Sequence, residues 1–327
     1  MRAHRVVPSE KRCRHRNYPR PHRCTPPSSP SVDNWRTSSW GRSGRWRRLS
    51  SIFPGMTARH GDVRRSAPSR GPERHDGAMT SDPVVHIGAD HQHTTYRECD
   101  LRGLRVRGSV LDDIDLWTFG GELGSVRVEG IDVTSYVSDE LDRRFPERVA
   151  LRSLVTADDH RRAWEAVTAS WSETLDRAEA LPEARRHEQV EGEWSVVQTL
   201  RHLVFAIDLW LGGMVRGDEA SFHSLGLPPG DPAEEAAELG LTPGADPTWD
   251  EVLAVHHDRC RSVSESLATV TDADLAVQRT RTPIAAWGEQ SQSVGTCLWI
   301  VQKEHAEHRR YAERDLAALA GTDPGPG

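Results

Sequence analysis

Two hydrophobic rhythms divide the chain. From Tyr96 an apolar side chain recurs every fifth residue, at Leu101, Val106, Leu111 and Leu116, skips Gly121, and returns at Val126 and Ile131. A fixed short period predicts stacked units. After Tyr136 the period becomes helical. A first long helix is predicted over Asp158 to Leu181, with Trp164, Val167, Trp171, Leu175 and Ala178 three or four apart and Pro182 as its stop. A second opens at Ser195, where Gln198 completes a capping box. It runs through Leu200, Leu203, Val204, Ile207 and Leu211 toward Gly212, Gly213 and Gly217. Thr248 to Val270 and Ser293 to Leu319 make a third and a fourth.

These patterns predict a mainly α fold, a four-helix bundle over residues 139–320, preceded by a short β-rich segment over 92–135. Roughly thirty Gly- and Pro-rich residues join the second helix to the third, against the ~2–8 that join antiparallel neighbours. A loop of that length can travel the length of a bundle, which makes helices two and three parallel.

Charge changes the picture at the N-terminus. The formal charge of the whole chain is −7, yet residues 1–78 hold 18 Lys and Arg against 5 Asp and Glu. That stretch carries Pro/Ser runs and no apolar period, and is expected to be a disordered tail, either an upstream extension before a true start at Met56 or Met79, or a nucleic-acid arm. No run approaches the ~20 apolar residues of a bilayer span, and no apolar signal region opens the chain. Five cysteines, none in a C-x-x-C pair, fit a reduced, cytoplasmic setting. Nucleotide-binding glycine loops and the G-x-S-x-G nucleophile turn are absent.

The candidate chemistry lies on helices two and four. In a helix Glu304 and His308 share a face, and His202 can reach them across the core. Three N/O donors suit a divalent cation of the Zn, Ni, Fe or Mn group without choosing among them. The i, i+3 pair His305 and His308 is an alternative. A lone histidine in an apolar helix is more often a hydrogen-bonded core residue, and His256 and His257, being neighbours on different faces, read as structural. Tyr311, three residues past His308, is a candidate pocket residue.

Two resemblances sharpen this. The five-residue period, with Cys99, Leu104, Ser109, Ile114 and Phe119 two positions earlier and acids at Asp100, Asp115 and Asp132, resembles a degenerate pentapeptide repeat. That family forms a square β-helix with each central residue inward; barely two coils fit here, so the segment should lean on the helices C-terminal to it. The string Glu193-Trp-Ser-Val-Val-Gln-Thr-Leu-Arg-His202-Leu203 is similar to the helix-two signature of the DinB-like proteins, and Ser293-Val-Gly295 followed by Glu304-x-x-x-His308-Arg309 resembles their last helix, where H-x-x-x-H is usual. The resemblance implies an up-down-down-up bundle and a metal at His202, Glu304 and His308, with Glu304 standing where histidine is common. It further implies an enzyme that brings a low-molecular-weight thiol such as mycothiol to the metal for S-transfer or isomerisation, or hydrolyses a small substrate with a metal-bound water. Its partners would be a small-molecule substrate and a second copy in a homodimer, with no membrane and with nucleic acid only through the tail. The alternative is a non-catalytic bundle that binds a partner or dimerises without metal.

Overall fold

Hydroxyl residues set where the helices begin. In the computed structural model, which describes residues 85–97, 99–118, 123–219, 221–230 and 233–321, four helices open with reciprocal capping boxes. Thr156 and Asp159 cap α3 (Ala157–Glu179), and Ser195 and Gln198 cap α5 (Val196–Ile207). Thr248 and Glu251 cap α7 (Trp249–Thr269), and Thr271 and Asp274 cap α8 (Asp272–Leu275). Each box satisfies backbone N–H groups that a helix start leaves open. Shorter helices complete the set: α1 (Thr134–Arg144), α2 (Glu147–Leu151), α4 (Glu183–Arg186) and α6 (Ala233–Glu238). The chain's last long helix, α9, spans Val294–Gly321. The predicted tail over 1–78 lies outside the described residues.

Every residue of α5 except Gln198 is buried, so this helix is central. It passes into a π-helical segment, Asp208–Arg216, which ends at Gly217 in the left-handed conformation. Glycine is required at that end: φ is +79°, and the Arg281 guanidinium occupies the space a Cβ would take.

The four long helices form a ring in which α3 packs on α9 and α7, and α5 packs on α7 and α9. Paired residues give their directions. Along α3 and α9 they rise together, His160 with Gln302, Ser170 with Arg309 and Thr174 with Glu313. Along α3 and α7 they run oppositely, Arg161 with Leu267, Trp164 with Ser264 and Trp171 with His256. Between the α5 extension and α7 they again rise together, Asp208 with Arg259 and Arg216 with Ser266. A hairpin of β3 (Gln278–Arg281) and β4 (Gln290–Ser293) leads into α9, paired antiparallel with Gln278 opposite Ser293.

A buried ion pair fixes α9 in register. Arg309 donates to Glu147 Oε1 at 2.8 Å, to the Ser170 carbonyl at 2.9 Å and to Thr174 Oγ1 at 2.9 Å, and Glu147 is fully enclosed. No described helix is long and apolar enough to cross a membrane.

The N-terminal segment departs from its expected interior while keeping its beat. Left-handed backbone recurs at Gly88, His93, Gly103, Gly108 and Asp113, five residues apart or at multiples of five. The apolar positions do not point into a core: Tyr96, Leu101, Val106, Leu111 and Leu116 are all exposed. Between residues 85 and 118 no described residue is in a β-strand, and the β structure of the segment is one hairpin, β1 (Arg127–Val128) with β2 (Ile131–Asp132). The physical reason is length: so few turns give each apolar side chain no coil above and below to cover it. The segment does lean on the bundle. Arg97 donates to the Glu191 and Gly192 carbonyls, Arg310 and Tyr311 donate to the Thr118 carbonyl, and Trp117 lies under the Arg310 and Arg314 guanidinium groups.

Removing one partner of the Glu147–Arg309 pair strands a buried charge. Arg309→Met should therefore lower unfolding free energy by about 3–5 kcal/mol, and the double variant Glu147→Leu with Arg309→Met should regain most of it in urea unfolding. The Asp159 carboxylate accepts from the backbone and hydroxyl of Thr156 and from the Val155 N–H, which hold it at about 2, below its ordinary 3.8. Its folded value lies below its unfolded value, so its stabilisation is whole above that unfolded value and drains as pH falls through the folded one. The gap in melting temperature between wild type and Asp159→Asn should be open near pH ~6 and close toward pH ~2.

Candidate metal centre

His202 lies seven residues after the Ser195 cap, on the face of α5 that meets α9, where Glu304 and His308 stand one helical turn apart. The structure brings these three together: one donor atom from each lies within 4.8 Å of the others. His202 Nε2 is 3.5 Å from Glu304 Oε2, His308 Nδ1 is 3.3 Å from the same oxygen, and the two imidazole rings are 4.7 Å apart.

Hydrogen bonds assign the ring nitrogens. His202 Nδ1 is 3.0 Å from the Leu227 carbonyl, and His308 Nδ1 is 2.9 Å from the Glu304 carbonyl. A carbonyl only accepts, so each Nδ1 carries the proton and each Nε2 is left with a free lone pair. Glu304 is 2% exposed, and among the described residues neither of its oxygens has a hydrogen-bond partner at ordinary distance. Its 3.5 Å contact with His202 is too long for an ordinary hydrogen bond.

Burial pushes the Glu304 carboxyl up, but His202, His308 and His305 together outweigh it and leave the group below its ordinary value. Burial, and then the His202 imidazole, bring His308 down to about 4. The carboxylate is therefore ionised at neutral pH beside a neutral His308. An ionised, enclosed carboxylate without a hydrogen bond is costly unless a positive charge meets it. Two imidazole nitrogens and one such oxygen are a donor set that fits a divalent cation of the Zn, Ni, Fe or Mn group.

The surroundings are aromatic. Trp194 lies 4.7 Å from the His202 ring and stacks on His308 at 6.1 Å, and Phe205 sits 6.1 Å from His202. Tyr311 presents its ring at right angles to His308, 6.2 Å away. His305 does not join this group. It points to the other side of α9, toward His256 and Cys260 on α7, because consecutive helical residues diverge by about 100°. The alternative pair His305 and His308 is thus divided between two places, and His256, which reads as structural from sequence, belongs to a second cluster.

Arg201 is the residue that sequence reasoning missed. It is buried and donates to the carbonyls of Leu225 (2.9 Å), Thr242 (2.7 Å) and Ala245 (2.7 Å), and its own carbonyl accepts from the Leu227 amide. These bonds clamp the crossover loop, whose Leu227 carbonyl holds the His202 ring. A buried Arg inside an otherwise apolar helix was the available signal. Arg201→Lys cannot span three carbonyls. Losing about 2 kcal/mol of hydrogen bonding there should speed hydrogen exchange at the Leu227 and Thr242 amides roughly 30-fold, read by mass spectrometry.

Neither a curated protein nor a solved structure matches the chain significantly. Residues 166–312, which begin within α3, end within α9 and include His202, Glu304 and His308, match the family model of the DinB superfamily, and it is to that superfamily that the helical part of this chain is similar.

Proposed function

We propose that the chain is a divalent-metal-dependent enzyme of the DinB-like type, holding its cation on His202, Glu304 and His308 and using it to activate a low-molecular-weight thiol. The observation that carries this reading is the Glu304 carboxylate, buried, ionised and without a hydrogen bond between two imidazoles whose Nε2 lone pairs are free. The helix directions support the up-down-down-up order that such a bundle requires, with α3 and α9 one way and α5 and α7 the other.

A bound divalent cation with an open position supplies one thing, a thiol or a water that loses its proton near neutral pH. The residues around it supply the rest. Glu304 offsets part of the cation's charge, the Leu227 and Glu304 carbonyls fix the two rings, and Trp194 and Phe205 exclude water from one side. Tyr311 gives a ring edge beside His308 against which a small substrate can rest. In S-transfer the sulfur forms a new bond to an electrophilic carbon, the leaving group departs with the electron pair of the broken bond, and the thiol proton goes to solvent. Among the described residues no side chain stands out as a general base, and neither nucleophile needs one once the cation has drawn off its proton. The second reading, a metal-free binding or dimerising bundle, is favoured by the exposed apolar side chains of Leu104, Val110 and Ile114.

Elemental analysis of the purified full chain, loaded in turn with Zn, Ni and Mn, should find bound metal, and His202→Ala should lose one equivalent. Calorimetric titration with mycothiol should give binding to the loaded wild type and none to the loaded variant. Equal metal content in the two proteins overturns the assignment of the ligands, and a metal-free wild type leaves the binding-bundle reading in its place.

A further inference from the structure

A second group of metal-binding side chains lies across α9 from the first. Its members are His256 and Cys260, one helical turn apart on α7, and His305 on α9. We propose that His256, Cys260 and His305 form a second metal site, distinct from the first, for a thiophilic cation of the zinc class.

Distance is the first argument. Cys260 Sγ lies 3.5 Å from His256 Nε2 and 3.8 Å from His305 Nε2. Zinc bonds of ~2.3 Å to sulfur and ~2.0–2.1 Å to nitrogen, at a tetrahedral angle, place S and N about 3.6 Å apart. Both sulfur–nitrogen spacings match those of ligands to one ion, and the three donor atoms all lie within 4.8 Å of one another.

Proton accounting is the second. His305 Nδ1 is 2.8 Å from the Val301 carbonyl and must donate to it, so Nε2 holds a bare lone pair facing the sulfur. As a neutral ring, His256 has the Cys260 sulfur as the partner of its nitrogens among the described residues. The thiol has one proton to give and can satisfy only one nitrogen. If it bonds to His305, His256 Nε2 has no other donor; if His256 Nε2–H bonds to sulfur, its Nδ1, 4.0 Å from the same sulfur, is left without one. A hydrogen-bonded triad therefore leaves a lone pair unmatched in a buried place, at a penalty that a cation accepting all three lone pairs removes.

The third is the donor chemistry and its walls. Two imidazoles and a sulfur with no carboxylate are soft donors, unsuited to Mg or Ca. His305 is fully enclosed and His256 is 2% exposed. Trp164 stands edge-on to His305 at 5.0 Å, and Trp171 lies 6.0 Å from His256 while its indole N–H holds the His305 carbonyl at 2.9 Å. On binding, the sulfur–metal bond forms as the thiol gives up its proton to solvent.

Cobalt(II) added to the metal-free full chain tests this, because a cysteine sulfur bound to cobalt gives an intense near-ultraviolet charge-transfer band. The band is expected in wild type and in His202→Ala, and is expected to vanish in Cys260→Ser while one equivalent of cobalt remains bound. Failure of the first site alone removes the His202-dependent equivalent and leaves the band. X-ray absorption at the zinc edge of the loaded wild type needs no variant and should show a sulfur shell. A spectrum with nitrogen and oxygen neighbours only, or a band that survives Cys260→Ser, overturns the proposal.

Discussion

An ionised carboxylate without a hydrogen-bond partner, enclosed between two imidazoles, is the constraint around which the candidate centre is organised. Proteins pair or hydrogen-bond buried charges because the alternative is several kcal/mol of lost hydration. Here the groups nearest Glu304 do not answer it: His308 Nδ1, 3.3 Å from Oε2, and His202 Nδ1 both give their protons to backbone carbonyls. The arrangement makes sense as a site prepared for a positive charge and is wasteful as ordinary core packing.

The support for that centre comes from far along the chain. The carbonyl that orients His202 belongs to the long crossover loop, and the loop is held by the residue next to His202, Arg201. Orientation of the His202 ring and docking of the loop are thus consequences of the same turn of α5. On the opposite side, Arg309, one residue beyond His308, fixes the height of α9 through Glu147. Two buried arginines, each adjacent to a candidate ligand, set where those side chains stand.

Much of this was legible in the residues. Ser195 and Gln198, Thr248 and the apolar marks on α3 and α5 placed the helices to within a few residues, because capping and periodicity are local effects. The i, i+4 spacing of Glu304 and His308 put both on one face for the same reason. The partners of His305 could not be read, since they depend on which side of α9 meets α7, a property of tertiary packing. The spacing of His256 and Cys260 was visible, but a single turn of helix says nothing about what faces it. The exposed side chains of the five-residue segment were misplaced because a repeat pattern reports the side of a coil and not whether enough coils exist to close one.

Glu304 and His305 are consecutive on α9 and serve opposite flanks of it. His308 turns with the carboxylate, so a small axial rotation of that rod changes the distance from Glu304 to His202 on α5 and, in the same movement, the distance from His305 to Cys260 on α7. The angle of one rod is thus common to both clusters, as the lobes of a camshaft share one shaft.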